Sequence, residues 1–290
     1  MLDVDEEKGY LKKNDNSHIF DVIDNKMIPA NVSVYLVGDS VLDNFIWLSD
    51  PKQNLTQQLK IMSVNPENIH NFAVDETETN DILIGKVPRN PYQVGRQSYG
   101  LEKYPIDDDG YVYPIKLLKK TIDISNIKNN VVVLSVGGND ARVCLPYLVS
   151  GYKKVLDKME EKGFTKNYTE LVRSLSHLTH QVVLVLVYRP YKDFYPEAHS
   201  EVSKLLDVVR KMFLTIAKEF KLPIIDLSKT FDPNDSSHYG KGNGSSPIEP
   251  SNKSSQFIAD LISTVIFDFK FGSDSSKVYY GHGVITIENN

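Results

Sequence analysis

Apolar residues along this chain gather into short runs, separated by longer stretches in which they recur at helical spacing. Residues 32–37, 68–74, 130–136, 181–187 and 223–227 form the runs, rich in Val, Ile and Leu and bounded by Gly, Pro, Asn or Asp. Such runs read as strands buried on both faces. Helical spacing covers 55–62, 79–84, 145–161, 168–180 and 197–220, with a further helical segment around 257–262. Strands alternating with helices predict a parallel sheet and one doubly wound α/β domain. Right-handed crossovers then bring the carboxyl ends of the strands to a single edge.

Two of those strand ends carry candidate chemistry. The first run stops abruptly at Gly38-Asp39-Ser40, which reads as a sharp turn. A serine there sits at the rim where open α/β sheets bind ligands, and a helix expected directly after it would offer amide N–H groups to an anion. That is the placement an acyl-transfer nucleophile needs. Capping of the next helix is the plainer role for Asp39 and Ser40. The run at 130–136 ends in Gly137-Gly138-Asn139-Asp140. Asn139 presents an amide donor at the same rim, a group able to stabilise an oxyanion, although a cap is again the alternative.

Gly38-Asp39-Ser40 and Gly137-Gly138-Asn139-Asp140, in this order and each after a strand, resemble the signature blocks of the SGNH hydrolases, also called GDSL esterases and lipases. The resemblance spans roughly residues 30–268, carried by motif order rather than continuous similarity. It implies a three-layer α/β/α sandwich around a parallel, flavodoxin-like sheet. It also implies Ser40 as nucleophile and an oxyanion hole built from the Ser40 N–H, a second backbone N–H and the Asn139 side chain. The block that supplies the second N–H falls on Asn71-Phe-Ala-Val-Asp-Glu-Thr, with Glu76 where the family has glycine. The last block, Asp-x-x-His-Pro-Ser in the family, falls on 246–251. Ser246 stands at the aspartate and Glu249 at the base histidine.

That last departure bears on the proton. An alcohol attacks well only when a base takes its proton. Histidine, at a pKa of about 6.5, suits the task better than a glutamate at about 4.3 unless burial raises the latter. Three readings stand open: Glu249 is the base of a Ser–Glu dyad; His238 supplies the function, with Asp235 three residues before it; or the hydrolytic machinery is lost and a silent SGNH-like protein binds a ligand or protein partner. His238 lies in a loop rich in Ser, Gly, Asn and Asp after the 223–227 strand, and a solvated loop histidine is its bland alternative. His177 and His180, three apart on a helix, have no accompanying ligand constellation. No metal site and no cofactor is expected.

Composition narrows the class. The chain has 290 residues, 41% hydrophobic and 24% charged, ordinary for a soluble globular protein. A net charge of −5 gives no footprint for nucleic acid, so the expected partner is a small-molecule acyl ester. The single cysteine, Cys144, excludes an internal disulfide. The acidic, polar start and the lack of a ~20-residue apolar run argue against a secretory signal and a membrane span; a cytoplasmic location is the expectation. Residues 1–30 read as a polar extension, 31–268 as the domain and 269–290 as a C-terminal extension with a hairpin around Gly281-His282-Gly283. An insertion at 87–115 is rich in Pro and Tyr, suited to a lid, a binding loop or a packed excursion. Asp107-Asp108-Asp109-Gly110 lacks calcium-loop spacing and reads as a turn.

Overall fold

The computed structural model describes residues 27–88, 110–240, 248–281 and 283–287. Most of the polar N-terminal stretch, most of the 87–115 insertion with its Asp107–Asp109 turn, and Ser246 therefore lie outside the described residues. Strand β1 (Val32–Gly38) is buried at every position, as its Val, Tyr and Leu content favours for a strand covered on both faces. It pairs in parallel with β2 (Ile69–Asn71) on one side and with β5 (Asn129–Ser135) on the other. From β5 the sheet continues through β6 (Val182–Leu186) and β7 (Ile224–Asp226), again parallel. A two-stranded ribbon of β3 (Val87–Pro88) and β4 (Tyr111–Val112) stands apart.

The 269–290 stretch joins this same sheet. Strand β8 (Ser276–Tyr280) pairs in parallel with β7, and β9 (Gly283–Ile287) returns antiparallel as the outer strand. The full order is β2-β1-β5-β6-β7-β8-β9. Numbered within the sheet alone, it is the flavodoxin-like 2-1-3-4-5 followed by the hairpin. Strand order reverses between β1 and β5, so the ends of those two strands flank the crevice where ligands bind in such sheets. Ser40 and Asn139 follow them.

Alternate residues of each strand feed two cores. Tyr35, Val37, Val132, Leu134 and Leu184 pack against α2 (Thr79–Leu83), α5 (Tyr152–Glu161), α6 (Phe164–Thr179) and α7 (His199–Phe220). Val34, Leu36, Val131, Val133 and Val183 face α1 (Leu55–Ile61) and α8 (Asn252–Asp268). The result is a three-layer α/β/α sandwich around a mostly parallel sheet. Among the described residues no helix is long and apolar enough to cross a membrane.

Three local departures from the sequence reading have physical causes. No α-helix follows Ser40 directly. The chain turns there, because the Asp39 side chain accepts the Val41 N–H and its carbonyl accepts those of Leu42 and Asp43. Short 3-10 turns at Phe45–Trp47 and Pro51–Gln53 precede α1, so β1 has no helix N-terminus at its end. The stretch read as one helix over 145–161 breaks at Gly151 into a 3-10 segment, Leu145–Ser150, and α5. Helix α3 (Pro114–Ile124) was not expected. Its signal was present: Pro at the first helical position, then Leu118 and Ile122 on one face.

Candidate active site

The site begins with a backbone constraint. Gly38 ends β1 at φ +145°, and a Cβ there would lie 1.7 Å from the Ser135 carbonyl oxygen. Only glycine lets β1 and β5 approach so closely as the chain turns to Ser40. Asp39 pins the turn: its N–H donates to Ser135 O at 2.9 Å, and its carboxyl accepts the Ser135 hydroxyl at 3.2 Å. Burial pushes Asp39 up to about 7.

At the end of β5, Gly137 takes φ +114° and opens α4 (Gly138–Cys144). Asn139 lies in the first turn of that helix. Its Oδ1 accepts Arg142 Nε at 3.0 Å, and its Nδ2 donates to the Thr77 carbonyl at 3.2 Å. An amide nitrogen carries two N–H groups, and the second is the one an oxyanion could take. Asp140 holds the Thr79 N–H at 2.9 Å and its hydroxyl at 3.0 Å, which ties the loop after β2 to α4.

That loop carries Asp75 and Glu76. Glu76 occupies the left-handed region at φ +66°, a conformation that favours the glycine expected at its place in the resemblance. Its carboxylate pairs with Arg142 at 3.7 Å. Its backbone N–H favours the ionised form of the neighbouring Asp75 carboxyl. Asp75 itself, 3% exposed, donates its N–H to Asp43 Oδ2 at 3.2 Å. Burial, with Glu249, Asp43 and Glu76 nearby, pushes Asp75 up to about 8, so it is a neutral acid at pH 7. Nothing in the sequence pattern marked Asp75; its signal is burial among other carboxyls, which a sequence does not display.

Glu249 arrives from the far end of the chain. The segments around it are fastened by Gly240 N–H to Glu249 O at 2.7 Å and Ser251 N–H to His238 O at 3.0 Å. The Tyr188 hydroxyl donates to Ile248 O at 2.6 Å. So held, the Glu249 carboxyl lies by the Ser40 hydroxyl, which favours its ionised form. Burial raises it to about 7, opposed by that hydroxyl and by Arg142.

The imidazole of His238 is engaged elsewhere. Its Nδ1 accepts the Asp232 N–H at 2.9 Å, its Nε2 lies 3.8 Å from Asp235 Oδ2, and its ring stacks on Phe231. Among the described residues nothing links it to Ser40; burial lowers its pKa. His177 lies within α6 and His180 just past its end. Among the described residues no group of three or more His, Cys, Asp or Glu could hold a metal ion. Cys144 is a buried free thiol.

Ser40 and Asn139 line an apolar pocket of about 110 Å³. A wider cleft of about 900 Å³ adjoins it, lined by Trp47, Asp75, Glu76, Tyr195, Glu197 and Glu201 among others. Asn139, Arg142, Leu145, Phe194, Ile248 and Glu249 line both. A hydroxyl beside a buried carboxyl and an amide donor, in a pocket that opens to a wider cleft, is an arrangement able to pass an acyl group to and from Ser40.

Among solved structures, a lipase from a goat rumen metagenome shares the fold at a TM-score of 0.50, with 15% identity over 79% of this chain and 94% of that one. Phospholipase A1 from Streptomyces albidoflavus NA297 matches at 0.49, with 14% identity over 80% and 98%. A GDSL-like lipase from Bacteroides thetaiotaomicron VPI-5482 matches at 0.47, with 11% identity over 81% and 87%. No family model and no curated protein matches this chain. These three lipases cover about 80% of the chain at 11–15% identity. At such identity the likeness is one of fold, and chemistry must be argued from the site.

Proposed function

We propose that this protein is an ester hydrolase in which Ser40 is the nucleophile and Glu249 its general base. The observation that carries the reading is that Ser40, Asn139 and the buried Glu249 carboxyl, raised to about 7 with Ser40 as a neighbour, line one pocket. In the first half-reaction Ser40 Oγ attacks the ester carbonyl carbon while Glu249 takes the hydroxyl proton. The Ser40 N–H and the Asn139 Nδ2 donate to the oxyanion. Collapse expels the alkoxide, which receives the proton from Glu249 and leaves an acyl–Ser40 ester. Water then attacks that ester, Glu249 takes its proton, and the second collapse returns the proton to Ser40 as the acid departs.

The competing reading, a silent protein that uses the same rim for binding, draws on one observation. The Glu76 N–H, which would be an oxyanion donor, neighbours the Asp75 carboxyl and favours its ionised form. Fluorophosphonate labelling followed by intact mass separates the two. A single adduct on wild type, absent in Ser40→Ala and strongly slowed in Glu249→Gln, is expected. Equal turnover of p-nitrophenyl acetate by wild type and Ser40→Ala would refute the hydrolase.

A further inference from the structure

Ser40 lines the smaller of two adjoining spaces, which share Asn139 and Glu249 in their walls. One is the cleft of about 900 Å³. The other is the pocket of about 110 Å³, walled by Val187, Tyr188, Pro190, Val202, Leu205 and Leu206. An ester attacked at Ser40 sends its acyl chain one way and its alcohol the other. The apolar pocket suits the acyl chain, and the wide cleft, with its carboxylates and aromatic rings, suits the alcohol.

The pocket has a firm wall. Val202 and Leu205 belong to α7 and are 4% and 0% exposed, and Leu205 packs into the core. The Tyr188 hydroxyl is fixed on Ile248 O. Walls of this kind do not yield to an oversized chain without strain. An apolar cavity of about 150 Å³ holds benzene, with its six carbons. By the same ratio the 110 Å³ here holds about four.

We infer, resting on the reading of Ser40 as nucleophile, that the substrate is a short-chain acyl ester of about two to four acyl carbons, carried on a larger alcohol that occupies the open cleft. The acyl side sets specificity and the alcohol side is permissive.

The test measures kcat/KM for p-nitrophenyl acetate, butyrate and octanoate on wild type and Leu206→Ala, with Ser40→Ala as background and fluorophosphonate labelling in parallel. One misfitting methylene changes kcat/KM by about 10–200-fold, so octanoate is expected at least about 10-fold below butyrate. Leu206 is half-buried, and its truncation lengthens the pocket and narrows that gap. Labelled Ser40 together with octanoate cleaved as fast as butyrate would overturn the acyl limit and leave the serine reading standing. An unchanged gap in Leu206→Ala would overturn the assignment of this pocket to the acyl chain. No labelling and no Ser40-dependent hydrolysis of any of the esters would overturn the serine reading, and the limit with it.

Discussion

Ser40 and Glu249 line one pocket and neighbour each other there, bringing the end of the first strand to a segment just before the last helix. Burial is the larger influence on the Glu249 carboxyl and lifts it to about 7; the Ser40 hydroxyl favours the ionised form and works against burial. A glutamate in water, near 4.3, is a weak base for an alcohol. Raised to about 7, it approaches the pKa that makes histidine useful.

The proton therefore tracks Glu249. On p-nitrophenyl butyrate, kcat/KM should rise with pH through about 7 as Glu249 ionises. Glu249→Gln should lower it by roughly 10²–10⁴ and remove that rise. His238→Ala should leave kcat/KM within a few-fold while lowering Tm, because its imidazole serves Asp232 and Phe231. A pH–rate profile of the three proteins decides; a collapse of activity in His238→Ala alone would make the imidazole the base.

Asp75 sets the alkaline side. It is neutral below about 8, and its ionisation would place negative charge beside the Glu76 N–H and near Glu249. Activity should fall as pH rises past about 8. Asp75→Asn keeps a neutral group of the same shape, so its profile should stay flat there while its neutral-pH kcat changes little. A fall that persists in Asp75→Asn would assign it to another group.

Glu76→Gly should stabilise the protein. The left-handed backbone at φ +66° costs a side chain about 1–2 kcal/mol that glycine avoids. What is lost is an ion pair with Arg142 at 3.7 Å, about half-exposed on both sides, worth about 0–1 kcal/mol. Tm should rise, and kcat/KM with it, since a carboxylate leaves the oxyanion side of the cleft. Thermal unfolding and steady-state kinetics on the one variant check both.

Stability should fall as pH rises across the neutral range. Asp39, Asp75 and Glu249 titrate near 7, 8 and 7 when folded, against about 4 in an unfolded chain. Between those values the folded state keeps protons that the unfolded chain has released, so these groups favour folding at low pH and lose that advantage through pH 7–8. The urea midpoint should drop from pH 5.5 to 8.5. Glu249→Gln should recover on the order of 2–3 kcal/mol at the upper end.

Much of the architecture was legible because the strands are buried on both faces. Apolar-rich runs such as 130–136 have few alternatives, and β1, β2, β5, β6 and β7 all fall on the runs read as strands, β1 and β5 each reaching one residue beyond. Helix ends and weaker elements were less legible. The turn after Ser40 depends on which backbone N–H groups the Asp39 carboxyl captures, and α3 followed a stretch whose prolines and tyrosines masked its pattern. Strand β8 is a run of ordinary composition, Ser-Lys-Val-Tyr-Tyr, and finds its place only because β7 leaves an open edge beside it.

By itself the sequence determined the sheet, the glycine at position 38 that the β1–β5 approach demands, and the presence of Ser40 and Asn139 at one rim. These follow from short-range pattern and from backbone sterics at single residues. Tertiary structure alone decided which group meets the Ser40 hydroxyl, where the His238 imidazole is spent, and that Asp75 stands among the site's carboxyls. A proton partner is a matter of proximity between distant segments, and a carboxyl's pKa is a matter of how much water surrounds it; neither is a property of the residue's neighbours in the chain.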